Sequence, residues 1–309
     1  TKNKNNKTNK TKTKTKTNRR KKQNESSNNI NNISNSSKII HFNNIDIFKK
    51  KMVKKTHFEG FGSDMFFGLI YLASKYKNLD IPFKFKESHG YKRRDFMNYG
   101  IRFECKDYEK KHKIIYPLYE NKFFEIIKNS KKRFVGIFLY IKWECSNMNA
   151  HFNAILFDTE NKTIERFDPY SKIKITRFYK TVKNFDDDFE KSIKKNLGNE
   201  YEYILPSSFY TKIGVQRKEE NNILSIFTAS TVGNFQLESD PGGFCGAWSL
   251  YYLNLRIAYP NISQKKILQN VYKYLENDKH SFRTFIRNYS NFILKVGIKQ
   301  IKPNKNKNT

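Results

Sequence analysis

Cys245 stands after two glycines and a phenylalanine in "DPGGFCGAWSLYYLNLRIAYP", and a dense apolar run follows it. The breaker cluster Asp240, Pro241, Gly242 and Gly243 ends just before it, which places Cys245 at or within the first turn of a helix. Unpaired backbone N–H groups and the positive end of the helix dipole favour a thiolate over a thiol there. The glycines would let a substrate backbone approach the sulfur. A thiolate needs a base, and His151 is the histidine set apart by its surroundings. It lies inside "AHFNAILFD", where a histidine between apolar neighbours is either a satisfied core residue or a placed functional group. At the end of the next strand-like segment, "ERFDPY", comes Asp168. Paired in a hairpin, the two segments bring that carboxylate within reach of the imidazole, where it fixes the tautomer as the third member of a catalytic triad does. Asn153 is a rival for this role, ranked second because strand alternation points residues 151 and 153 to one face in parallel.

The elements that must position these groups are legible from periodicity. Residues 64–77 put Phe66, Leu69, Ile70 and Ala73 on one helical face, and residues 122–130 read as a second short helix. The run 133–143, "RFVGIFLYIKW", is continuously apolar and of strand length, which suits a central strand covered on both faces. Residues 149–158 and 163–168 read as a hairpin turned at "TENK", and 201–206 as a fourth strand. The cysteine helix carries too many apolar residues for one face and is expected to be buried all round. After Pro260, residues 263–275 and 280–297 read as amphipathic helices. Helices flanking a small mixed sheet make the fold class α+β.

The chain has 309 residues, with 60 Lys and Arg against 29 Asp and Glu, for a net charge of +31. Such an excess draws a protein toward polyanions, although the lysine and asparagine bias is also what an AT-rich genome writes into any protein. Residues 1–37 are low-complexity, basic and poor in large apolar groups, and are expected to be a disordered tail; 38–300 form the folded domain and 301–309 a shorter basic tail. The three cysteines, Cys105, Cys145 and Cys245, include no C-x-x-C pair, which argues against a disulfide framework or a zinc knuckle and fits a reducing intracellular compartment. Cys105 and Cys145 read as bystanders. His41, His57, His89, His112 and His280 lie in lysine-rich or aperiodic stretches and read as surface residues. No stretch approaches the length of a membrane span and no signal-peptide core is visible, so a non-secreted protein without a membrane partner is expected.

The order His151-Phe152, then Asp168, then Cys245-Gly246 opening a helix resembles the cysteine proteases that include adenovirus protease and the SUMO-specific proteases. The wording "GFCGAW" is similar to thiol proteases of giant DNA viruses. The motif-bearing part is 133–258. The resemblance implies a papain-like fold of that type and a Cys-His-Asp thiol protease that needs no metal or organic cofactor. It further implies a glutamine that shares the oxyanion hole with the backbone N–H at the cysteine. In this family that glutamine stands about six residues upstream of the nucleophile. Position 239 is serine here, so the role falls to Gln236, nine positions ahead of Cys245. The implied substrate is a viral structural protein, with the enzyme packaged in particles, or alternatively a ubiquitin-like conjugate. A different class of function is a basic nucleic-acid-binding protein with an inert protease-like fold; the sequence carries no helix-turn-helix, zinc-finger or RNA-recognition signature for it.

Overall fold

The computed structural model describes residues 40–42, 57–82, 99–105, 111–142, 150–171, 176–210, 214–224, 241, 243–277 and 281–303. Gln236, Cys145, His89, His280 and residues 1–37 lie outside them. Strands are β1 (Ile40–Phe42), β2 (Leu79–Asp80), β3 (Ile101–Cys105), β4 (His112–Ile115), β5 (Phe134–Lys142), β6 (Ala150–Asp158), β7 (Thr163–Phe167), β8 (Glu202–Ile204) and β9 (Ile301–Pro303). Helices are α1 (Gly62–Lys75), α2 (Glu120–Lys128), α3 (Thr176–Leu197), α4 (Pro206–Phe209), α5 (Val215–Leu224), α6 (Cys245–Ala258), α7 (Gln264–Asn277) and α8 (Phe282–Gln300). The chain is α+β: a mixed sheet flanked by helices, with Cys245 opening one of them.

The sheet runs β4-β3-β5-β6-β7-β8, with β2 also pairing with β5. Its centre is the antiparallel ladder of β5 and β6, from Phe134 opposite Asp158 to Lys142 opposite Ala150. The β6–β7 hairpin follows in register, with Ala154 opposite Phe167. Asp158 builds the turn, accepting bonds from the Glu160 and Asn161 N–H groups and from the Arg133 guanidinium. β3, flanked by β4, and the edge strand β8 run parallel to β5 and β7, and α3 spans the connection to β8.

Alternation along β5 and β6 divides the apolar residues between two cores. Phe138, Phe152, Ala154 and Leu156 face the core shared with α1, α6, α7 and α8. Ile137, Leu139, Ile155 and Phe157 face the other, closed by Phe123, Phe124 and Ile127 of α2 and by Phe185, Phe189 and Ile193 of α3. Both faces of β5 and β6 are therefore covered, which is why "FVGIFLYIK" carries no polar alternation. Burying each Phe or Ile contributes roughly 1.5–3 kcal/mol, so a two-sided sheet gives the positions of His151 and Asp168 a stiff support.

Helix α6 is mostly buried, with Cys245, Tyr251, Asn254 and Leu255 half-buried and Ala258 exposed at its end. It approaches α1 closely at Gly246, where any side chain would collide with the Met65 sulfur. The expected thiol inventory is corrected at one position: Cys105, 6% exposed at the end of β3, is disulfide-bonded, and Cys245 is the free cysteine among the described residues. Spacing alone could not show this, because connectivity is not deducible from sequence without a local motif. Ile301–Pro303, assigned from sequence to the C-terminal tail, pairs in parallel with Ile40–Phe42. Among the described residues no helix is long and apolar enough to cross a membrane.

Candidate active site

His151 is the second residue of β6 and faces the α3 side of the sheet, while Phe152 points into the opposite core beneath α6. Cys245 stands at the first position of α6, and its sulfur lies against the backbone between these two side chains. The Phe152 N–H points at Sγ at 3.5 Å. One turn along the same helix, the Ser249 hydroxyl donates to the Phe152 carbonyl at 3.3 Å. The helix N-terminus is thus pinned to the strand by polar contacts on both sides of residue 152. No side chain caps α6 at Phe244, so its first N–H groups remain available to an anion.

Asp168 directly follows β7 and brings Oδ1 to 2.8 Å from His151 Nε2. The Tyr170 N–H donates to the same oxygen at 2.9 Å. With Nε2 engaged by Asp168, Nδ1 is the nitrogen left for the sulfur, and Cys245 lies near enough to act on the imidazole electrostatically. His151 and Asp168 are both almost completely buried. Burial works against protonation of His151, but the Asp168 carboxylate, its hydrogen bond to the ring and the nearby Cys245 outweigh it and push the imidazole up to about 9. Burial likewise opposes ionisation of Asp168; the His151 imidazole, the Arg166 guanidinium and the Tyr170 N–H outweigh it and hold the carboxyl below its ordinary range. The Tyr170 ring lies over His151 with centroids 4.7 Å apart.

The three residue types singled out by sequence therefore meet at one place. Asn153, the rival acceptor, does not touch His151; its Oδ1 accepts from Arg166 Nη1 at 2.6 Å. Of the other histidines, His112 bonds the Lys142 carbonyl and stacks on Phe103, and His57 pairs loosely with Glu59. No group of three His, Cys, Asp or Glu able to hold a metal occurs among the described residues.

No family model matches the chain. It is 30% identical over 185 residues, 58% of its length, to "Putative ankyrin repeat protein L371" of Acanthamoeba polyphaga mimivirus, and spans only 23% of that relative. Similar solved structures include the Chlamydia trachomatis effector ChlaDUB1, 11% identical with a TM-score of 0.44 over 83% of this chain and 91% of that one. Cdu1 of the same organism, bound to ubiquitin, gives 12% and 0.41 over 78% of this chain and 94% of that one. The Legionella pneumophila effector RavZ gives 9% and 0.32 over 66% of this chain and 54% of that one.

Two further residues belong to this site and were not singled out by sequence. Gln216, the second residue of α5, is 1% exposed. Its backbone N–H donates to the Pro169 carbonyl, next to Asp168, at 3.1 Å. Its Nε2 lies 2.8 Å from where a Cβ on Gly243 would sit, two residues before Cys245. Gln216 thus bridges the Asp168 turn and the loop that delivers the sulfur, and Gly243 leaves room for its amide. Only the fold brings the two segments together; a separation of 29 positions gives no local signal. Arg166 had a fainter one. It shares a strand face with Asp168 by alternation, and its fully buried side chain reaches Asn153, Asp168 and Asp186.

Proposed function

We propose that this chain is a thiol hydrolase that cleaves peptide or isopeptide bonds. The observation that carries the reading is the single imidazole, His151, bonded to Asp168 and interacting electrostatically with Cys245, whose sulfur accepts from the N–H of Phe152, the residue after His151. Cys245 would attack the scissile carbonyl as a thiolate, its proton having passed to His151. The tetrahedral oxyanion would be held by the Cys245 N–H at the uncapped helix end and by the Gln216 amide. Collapse of this intermediate expels the amine, which takes the proton from His151 and leaves a thioester on Cys245. Water, deprotonated by His151, then hydrolyses the thioester and frees the sulfur. Asp168 keeps the imidazole in the required tautomer and stabilises its protonated form. Gln236, the donor suggested by the sequence, has a rival in Gln216, because Gln216 is directed at the loop leading to the nucleophile.

A ubiquitin-like conjugate is the substrate class to assay first, with viral structural proteins second; ubiquitin, the partner of Cdu1, supplies the first probe. The full chain is incubated with ubiquitin-like proteins carrying a C-terminal electrophile and, separately, with a small alkylating agent. Covalent capture of a modifier at Cys245, lost in Cys245→Ala, supports the deconjugating reading. Rapid alkylation of Cys245 with no capture of any modifier leaves a protease for other proteins. A Cys245 that reacts no faster than an exposed model thiol overturns the enzyme reading.

A further inference from the structure

Arg166 carries four polar contacts in a fully buried position, more than a structural ion pair between β7 and α3 requires. Nε and Nη2 form a two-pronged pair with the Asp186 carboxylate of α3, each at 2.8 Å. The Tyr203 hydroxyl of β8 donates to the same carboxylate at 2.7 Å. Nη1 is shared: it holds Asn153 Oδ1 at 2.6 Å and faces Asp168 Oδ2 at 3.4 Å. Asn153 and His151 project from the same face of β6 two residues apart, and both an amide oxygen and a carboxylate oxygen accept from an imidazole N–H.

We propose that Arg166 is a positioning residue that makes Asp168, and not Asn153, the partner of His151. This rests on the thiol-hydrolase reading for its purpose, though not for its geometry. The short bond from Nη1 holds the Asn153 oxygen away from the imidazole. The amide cannot turn over, because that would set its NH2 against the guanidinium, donor against donor. Its cost is visible: Asn153 Nδ2 is buried without a hydrogen-bond partner among the described residues, an arrangement that is destabilising. Meanwhile Nη1 steadies the outer oxygen of Asp168, and the inner one turns to His151. A bare guanidinium there would compete with the imidazolium for the carboxylate, and Asp186, backed by Tyr203, offsets that charge.

The test reads His151 directly, by NMR titration of the histidine ring in the full chain. The groups around it are Asp168, Cys245 and Tyr170, and those around Arg166 are Asp186, Tyr203, Asn153, Asp168 and, more distantly, Tyr210. Asp186→Asn removes the counter-charge and keeps the shape, so the His151 midpoint should fall by about one unit. Arg166→Lys keeps a cation but loses the planar fork, which releases Asn153. Its midpoint should fall too, and adding Asn153→Ala should return it toward the wild-type value. Midpoints that match the wild type in both single variants overturn the proposal. So does a fall in Arg166→Lys that Asn153→Ala does not reverse. If Arg166→Lys does not fold, Asp186→Asn decides alone. Because the titration needs no substrate, a chain that cleaves nothing yet shows these shifts refutes the hydrolase reading and leaves the role of Arg166 standing.

Discussion

The protonation of His151 sets both a stability window and an alkaline limit for the proposed chemistry. Its ordinary value is 6.5 and its value in the fold about 9. Its partners therefore stabilise the fold fully below pH 6.5, and that contribution is lost as pH rises through about 9. Asp168 behaves oppositely: held below the ordinary carboxylate range, it contributes above that range and loses its contribution in acid. The expected outcome is a urea midpoint that declines between pH 6.5 and 9 in the wild type, with that part of the decline missing in His151→Gln. Over the same range kcat/KM should fall on its alkaline side near pH 9, where the acid that protonates the leaving amine is lost. Gln216 makes a separate prediction. An oxyanion donor acts mainly in the transition state, so Gln216→Ala should lower kcat about 10²- to 10³-fold with little change in KM. Gln236→Ala is the control: an equal loss there, and none at Gln216, returns the role to the position suggested by sequence.

Helix α6 is held to the sheet by a buried polar cluster that its largely apolar sequence does not announce. Glu165 of β7 accepts from Tyr252, from Arg256 through Nε and Nη2, and from Gln264. One turn nearer the helix start Trp248 donates to Glu219, which also pairs with Arg283. Replacing Glu165 by Ala leaves the Arg256 charge buried without its partner, which costs about 3–5 kcal/mol. For a domain of this size that corresponds to roughly 6–20 °C in Tm, measured by circular dichroism. Below that temperature Cys245 should alkylate at the wild-type rate, because Ser249 still ties the helix start to Phe152. The elements with plain periodicity were legible within a residue or two: α1, α2, β5, β6, β7, β8, α6 and α7; α8 was read three residues short at its end. Helix α3 was not, because Val182, Phe185, Phe189 and Ile193 form a narrow stripe among clustered Lys and Asp. The short strands β2, β3 and β4 also carried no signal, since their burial comes from neighbours across the sheet. His151, Asp168 and Cys245 were readable because each sits at the boundary of a strongly patterned element. Gln216 and Arg166 were not, because their roles depend on distances between segments rather than on local sequence.

On the scale of the whole chain, about a third of the net charge lies in a segment that holds none of the site residues. Residues 1–37 carry eleven Lys and Arg against the single Glu25, ten of the net +31 charges, and none of the residues assigned to the site. If that segment is what meets a polyanion, each phosphate it neutralises contributes about −0.9 to the slope of log K against log salt. Deleting 1–37 should then make the slope of duplex DNA binding shallower by several units, irrespective of base sequence, while the rate of Cys245 alkylation stays unchanged. An unchanged slope would instead assign the contact to the folded part, whose remaining charge is still strongly positive. A shallower slope accompanied by slower alkylation would mean that the basic segment acts on the site itself, and the two functions could no longer be treated as independent. The first outcome is the one favoured by composition, because a low-complexity run of Lys, Thr and Asn offers charge for a polyanion and no residue type suited to the chemistry of the site.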